Sequence, residues 1–193
     1  MTSVSRPPAR TRLLEAADRV LFERGIRATP VDELLRVAEV SASTLYTHFG
    51  SKDGLVAEIL RVRLEDWRVV WDRCVVDAGT DEARLLAIFD AVAAYREDAC
   101  HPEGWCAFLG AADELHRGPA AVRAVLEAHT ALLSSRLLHL SGPIAGANAQ
   151  ALAEEVALAY SGTLASYLRK YPAAPVDSGR RLAAAAIAAH TSH

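Results

Sequence analysis

The chain has 193 residues, 51% of them hydrophobic, and a net charge of −3, so it is long enough for one domain with a substantial core or for a small domain fused to a larger one. No apolar run reaches the roughly 18 residues that a bilayer span needs. The longest candidate, residues 182–189, is mostly alanine, and membrane is therefore not an expected partner.

Alanine and leucine dominate the apolar residues while β-branched and aromatic residues are sparse, which predicts an all-α fold in two unequal units. Arg6, Arg10 and Arg12 precede no uninterrupted apolar stretch, so the start does not read as a secretory signal and the cytoplasm is the expected compartment. Three cysteines, Cys74, Cys100 and Cys106, argue against a disulfide framework and for free thiols. Charge is unevenly spread: residues 1–63 sum to +2 and residues 64–193 to −5, a mildly basic front on an acidic body.

A first helix is predicted from Pro8, with Leu13, Leu14, Ala17, Val20 and Leu21 on its apolar face and Gly25 as its stop. Thr29 reads as the cap of a short second helix over residues 30–38, with Asp32 three positions on. Glu39-Val40 forms a turn, Ser41 caps a third helix over residues 42–48, and Ser51 caps a fourth. Val31, Leu34, Leu35, Ala38, Val40, Leu45 and Phe49 can close one small core, leaving Ser43, Thr44, Tyr46, Thr47 and His48 outside it. Two short helices about a tight turn are the geometry that lays the second helix in a DNA major groove.

Residues 9–60 carry Gly25, Thr29-Pro30-Val31, Val40-Ser41, Thr44-Leu45-Tyr46-Thr47-His48-Phe49 and Ser51-Lys52. This segment, about the first third of the chain, resembles the DNA-binding head of TetR-type regulators. The resemblance implies phosphate contacts from Tyr46, His48 and Lys52, with Thr29 near the DNA backbone, and base-edge positions at Ala42, Ser43, Thr44 and Thr47. By residue type alone, Tyr46 equally fits a core aromatic and His48 a solvated surface residue. None of the four readout residues makes a bidentate guanine contact, so thymine methyls, hydroxyl hydrogen bonds and DNA shape are the expected basis of recognition. Two departures stand out: Glu39 occupies a turn position where the family often has glycine, and Leu35 replaces a common small residue. The N-terminal arginines fit either a minor-groove arm or a solvated tail.

The fourth helix is predicted to run towards Cys74 through Leu55, Ile59, Val62, Trp67, Val70 and Trp71. Further helices follow over residues 82–98, 105–116 and 120–140, then a loop over 141–147. Another helix is marked from Leu152 to Leu168 and a last one runs over residues 180–189, after a stiff loop at 171–175. The expected organisation is a helix-turn-helix DNA-binding domain over 1–50 and a ligand-binding and dimerisation domain over 51–193, bridged by helix four. The resemblance implies a homodimer through the last two helices, and their alanines would allow close helix approach.

Trp67, Trp71, Tyr95, Trp105, Phe108, His129 and Tyr160 are the candidate lining of a pocket for an unidentified small-molecule effector, although each also fits a plain core position. Cys100, His101, Cys106, Asp113, Glu114 and His116 cluster in sequence but lack metal-ligand spacing, so no metal, cofactor or enzymatic activity is expected. The expected function is ligand-responsive transcription regulation on a palindromic double-stranded DNA operator, with repression the direction the resemblance implies. An architectural DNA-binding protein and a thiol-based redox regulator remain as alternatives.

Overall fold

A computed structural model describes residues 6–97, 106–115 and 117–191. The described residues are all-helical: α1 Ala9–Arg24, α2 Val31–Ala38, α3 Ala42–Phe49, α4 Lys52–Asp77, α5 Asp81–Glu97, α6 Ala107–Leu115, α7 Ala120–Ala145, α8 Ala149–Arg169 and α9 Pro175–Thr191. Among these residues no helix is long and apolar enough to cross a membrane. Trp105, Cys100, His101 and His116, all singled out by the sequence, lie outside the described residues.

Contacts divide the chain into two compact units, one of Met1–Arg63 with Ala107–Glu127 and one of Leu64–Cys106 with Ala128–His193. In the first unit α1 packs on α2 and α3. Its core gathers Leu13, Ala17, Val20, Leu21 and Phe22 from α1, Leu34 and Ala38 from α2, and Leu45 from α3. Leu55, Ile59 and Leu60 of α4 and Phe108 and Ala111 of α6 are buried in the same unit. Arg63 is only 2% exposed; its Nε donates to Asp18 Oδ1 at 2.7 Å and its guanidinium lies 4.5 Å from the centre of the Phe22 ring. A cation buried this deeply is tolerated because a carboxylate and an aromatic face both meet it.

In the second unit α9 packs on α8 and α5. Trp71, Leu85, Ile88, Phe89, Leu137, Leu152, Val156, Ala183 and Ile187 form its core. Gly179 is required at the helix crossing: a Cβ there would sit 1.9 Å from Thr163 Oγ1 and 2.8 Å from the Phe89 ring.

Three helix boundaries differ from the sequence reading. The loop expected over residues 141–147 is largely helix, because α7 continues through Pro143 to Ala145 before a 3-10 turn, Gly146–Asn148. Proline forfeits one backbone bond there, but Leu140, Ile144 and Ala145 stay packed on the core, and that burial outweighs the local preference. The final helix begins at Pro175 instead of 180; proline is well suited to a first helical turn. The cap expected at Thr29 does not form: Pro30 holds the N-cap position, and Thr29, 2% exposed, turns its hydroxyl back to donate to Gly25 O at 2.8 Å.

Candidate functional site

The helix-turn-helix is built around the end of α2. Glu39 adopts a left-handed conformation (φ 51°, ψ 52°), its N–H donates to Arg36 O at 3.3 Å, and Val40 N–H donates to Leu35 O at 3.1 Å. This pair of bonds is a Schellman closure, normally favoured by glycine; a residue with a Cβ costs roughly 1–2 kcal/mol in that conformation. Two further carbonyls are met from α1: Arg12 Nε donates to Ala38 O at 3.2 Å and Nη2 to Glu39 O at 2.9 Å. Arg6 pairs with the Glu39 carboxylate, and both side chains are exposed. Arg10 pairs with Glu58 at 2.5 Å and lies over the half-buried Phe49 ring.

From this turn α3 projects with Leu45 buried and Ala42, Ser43, Tyr46, Thr47 and His48 exposed; Thr44 is half-buried, and Tyr46 is 60% exposed. Ser41 stands at the N-cap, but its hydroxyl pairs with those of Ser43 at 2.8 Å and Thr44 at 3.2 Å instead of with the helix amides. Two of the four readout candidates are thereby joined in one hydroxyl cluster whose hydrogens can rotate to suit a partner. Ser51 does cap α4, accepting from Gly54 N at 3.0 Å. Gly54 has no room for a side chain, since a Cβ would meet Phe49 O at 2.0 Å, and that close approach fixes how α4 leaves α3.

Lys52 and Thr29 lie on the inner side of this arrangement. The Lys52 ammonium donates to the carbonyls of Ile26 and Thr29, and burial lowers its pKa against the opposing pull of Asp53 and Glu114. Glu114 of α6 completes the grip on the segment between α1 and α2: one carboxylate oxygen accepts from Ile26 N at 3.0 Å and the other from Arg27 N at 2.8 Å. The sequence grouped Glu114 only with neighbours that lack metal-ligand spacing. Its partners lie 87 and 88 positions away, and no local pattern signals them.

Of the candidate pocket residues, four come together in the second unit. Trp67 has Trp71, Tyr95 and Tyr160 about it, with ring centres 5.8, 5.7 and 6.0 Å away. Arg136, not anticipated from the sequence, lies 4.4 Å from the Trp71 ring centre and pairs with Asp72 at 2.5 Å. The buried indole N–H of Trp71 and the buried Ser141 hydroxyl have no hydrogen-bond partner among the described residues. Groups left so are costly, by about 1–3 kcal/mol each. Burial keeps the Tyr160 phenol protonated and pushes the pKa of the half-buried His129 down to about 4, so His129 is neutral at pH 7. Phe108 belongs to the first unit, in its core.

On the face of α8 and α9, a groove of about 550 Å³ is lined by Leu158, Ala159, Gly162, Gly179, Leu182 and Ala186 among others. Leu158 and Leu182 are 73% and 65% exposed. Cys74 is a thiol whose pKa burial raises, which favours its unreactive protonated form.

Residues 13–59 match the family described as bacterial regulatory proteins, tetR family. The HTH-type transcriptional repressor KstR2 of Rhodococcus jostii (strain RHA1) is 36% identical over 104 residues, covering 48% of this chain and 50% of that protein. The HTH-type transcriptional regulator BetI of Rhizobium meliloti (strain 1021) is 31% identical over 132 residues, 68% of this chain and 64% of that protein. The match thus spans about half the length of KstR2 and under two thirds of BetI. Among solved structures, SCO4454, a TetR-family transcriptional regulator from Streptomyces coelicolor, superposes with a TM-score of 0.84 over 95% of this chain and 96% of that one, at 23% identity. At that identity the likeness establishes the fold.

Proposed function

Because the chain belongs to the TetR family of bacterial regulatory proteins, we propose that it is a homodimeric, effector-responsive regulator that binds a palindromic DNA operator through α3. The observation carrying this reading is the helix-turn-helix itself: a short α3 with Leu45 buried and Ala42, Ser43, Tyr46, Thr47 and His48 exposed. In this reading Ala42, Ser43, Thr44 and Thr47 face base edges, while Tyr46 and His48 meet phosphates. Lys52 and Thr29 act one step back, shaping the segment before α2 on which the motif rests.

Dimerisation through α8 and α9 is supported by the groove and the exposed Leu158 and Leu182, an apolar surface that a second copy would cover. An effector site around Trp67, Trp71, Tyr95 and Tyr160 is supported by the aromatic cluster and the unpartnered Trp71 N–H. A flat apolar molecule bearing a hydrogen-bond acceptor suits those groups. Repression is the direction suggested by named repressors among the relatives. Effector binding would then shift the population towards an arrangement of α4 in which the two recognition helices no longer match successive major grooves, about 34 Å apart.

The test is selection of bound sequences from a random duplex pool by the purified protein at near-physiological salt. Enrichment of a palindrome with half-sites about one turn apart is expected. Salt-sensitive binding without enrichment would instead mark an architectural protein, and no binding at all would refute a DNA-binding role for α3.

A further inference from the structure

We propose that Arg12 is the positioning residue of the helix-turn-helix, supplying from α1 the hydrogen bonds that stabilise a turn built on glutamate. Four carbonyls at the turn have defined donors. Leu35 O and Arg36 O are met by Val40 N–H and Glu39 N–H, the two bonds of the Schellman closure. Ala38 O and Glu39 O follow, and both are met by one guanidinium, through Nε and Nη2. A third bond, Nη1 to Pro7 O at 2.9 Å, fixes the same side chain to the start of α1.

Arginine suits this position because its donors form a planar fork. Neighbouring nitrogens reach neighbouring carbonyls together, which the point charge of lysine does not reproduce. A cation at the C-terminal end of α2 also lies where the helix dipole favours it. The left-handed Glu39 is thereby held in a conformation that its own side chain disfavours, and the direction in which α3 leaves the turn follows from it. Arg12 therefore affects DNA recognition through the backbone and not by touching DNA. Only that last step rests on the DNA-binding reading of α3.

Two measurements on the whole 193-residue chain test the assignment. The first needs no DNA: amide hydrogen exchange in wild type, Arg12→Ala, Arg12→Lys and the double variant Arg12→Ala/Glu39→Gly. Exchange at Glu39 and Val40 should accelerate roughly tenfold or more in Arg12→Ala, and by less in Arg12→Lys, with amides of α8 unchanged. The double variant should return close to wild type, because glycine takes the left-handed conformation without the Cβ penalty. Unchanged exchange in both single variants, or no recovery in the double, overturns the proposal. If Arg12→Ala unfolds globally, so that α8 amides accelerate too, Arg12→Lys decides on the same criterion.

The second measurement is affinity for the selected operator duplex as a function of salt. A positioning role lowers affinity with the salt slope preserved and is rescued by Glu39→Gly. A direct phosphate contact lowers the slope by about 0.9 and is not rescued, which also overturns the proposal. Failure of the selection to yield an operator would count against the regulatory function alone, since the exchange experiment still decides the role of Arg12.

Discussion

Glu114 offers the sharpest test of how the first unit is held together. Its carboxylate accepts two backbone N–H groups, from Ile26 and Arg27, and stands near the Lys52 ammonium that binds carbonyls of the same segment. Hydrogen bonds to a charged group contribute about 1.5–3 kcal/mol each, and the Arg27 bond is solvent-exposed, so replacing Glu114 by alanine should cost about 2–4 kcal/mol locally. Glutamine keeps one acceptor but turns an NH₂ towards the second donor; about 1–2 kcal/mol is expected for it. Amide exchange at Ile26 and Arg27 should then speed up roughly 30- to 1,000-fold in Glu114→Ala and about 5- to 30-fold in Glu114→Gln. Amides of α8 and α9, in the other unit, should keep their wild-type rates. Acceleration of both variants by less than about threefold, or an equal effect in the two units, would refute the picture of a segment gripped by α6.

Four further outcomes are expected. Gly179→Ala forces a Cβ to 1.9 Å from Thr163 Oγ1 and should cost about 1–3 kcal/mol, a drop of several degrees in Tm by circular dichroism. Gly142→Ala, with nothing within 4 Å of the new atom, should be neutral or mildly stabilising. His129, neutral when folded with a pKa near 4, regains its ordinary pKa of 6.5 on unfolding, so the unfolded chain binds the extra proton as pH falls below that value. Between pH 7 and 5 the wild type should therefore lose about 2 kcal/mol more stability than His129→Asn; equal losses in denaturant titrations would exclude this. Finally, if Ala42, Thr44 and Thr47 pack against thymine methyls, replacing operator thymines singly by uracil should weaken binding at one or more half-site positions, whereas a flat scan would contradict direct readout.

The helical periodicity and punctuation of the first 77 residues made α1 to α4 legible nearly to the residue, because Gly25, Ser41, Gly50 and Ser51 act locally. The sequence misled where tertiary burial overrode local chemistry. Ser141-Gly142-Pro143 reads as a loop, yet Leu140 and Ile144 carry the helix across it. Thr29 has the residue type of a cap but is drawn inward by Gly25 O. Aromatic type alone offered Trp67, Trp71, Tyr95 and Tyr160 as candidates without fixing their mutual geometry, while Arg136, Glu114 and the role of Arg12 depend on partners between 26 and 88 positions away, which no local pattern encodes. Glu39 lay between these cases. Its departure from glycine was visible, but the arginine that compensates it was not.

The three tryptophans of the chain, Trp67, Trp71 and Trp105, all lie beyond residue 63, and α1 to α3 contain none. With Trp67 and Trp71 tilted together beside two tyrosines and Arg136, tryptophan emission is an optical reporter confined to the second unit, without any label. Emission that changes when DNA is added would thus record, in the second unit, the DNA binding proposed for the helix-turn-helix. By thermodynamic reciprocity, a molecule that binds beside those indoles and is held more weakly once DNA is bound would weaken DNA binding by the same factor.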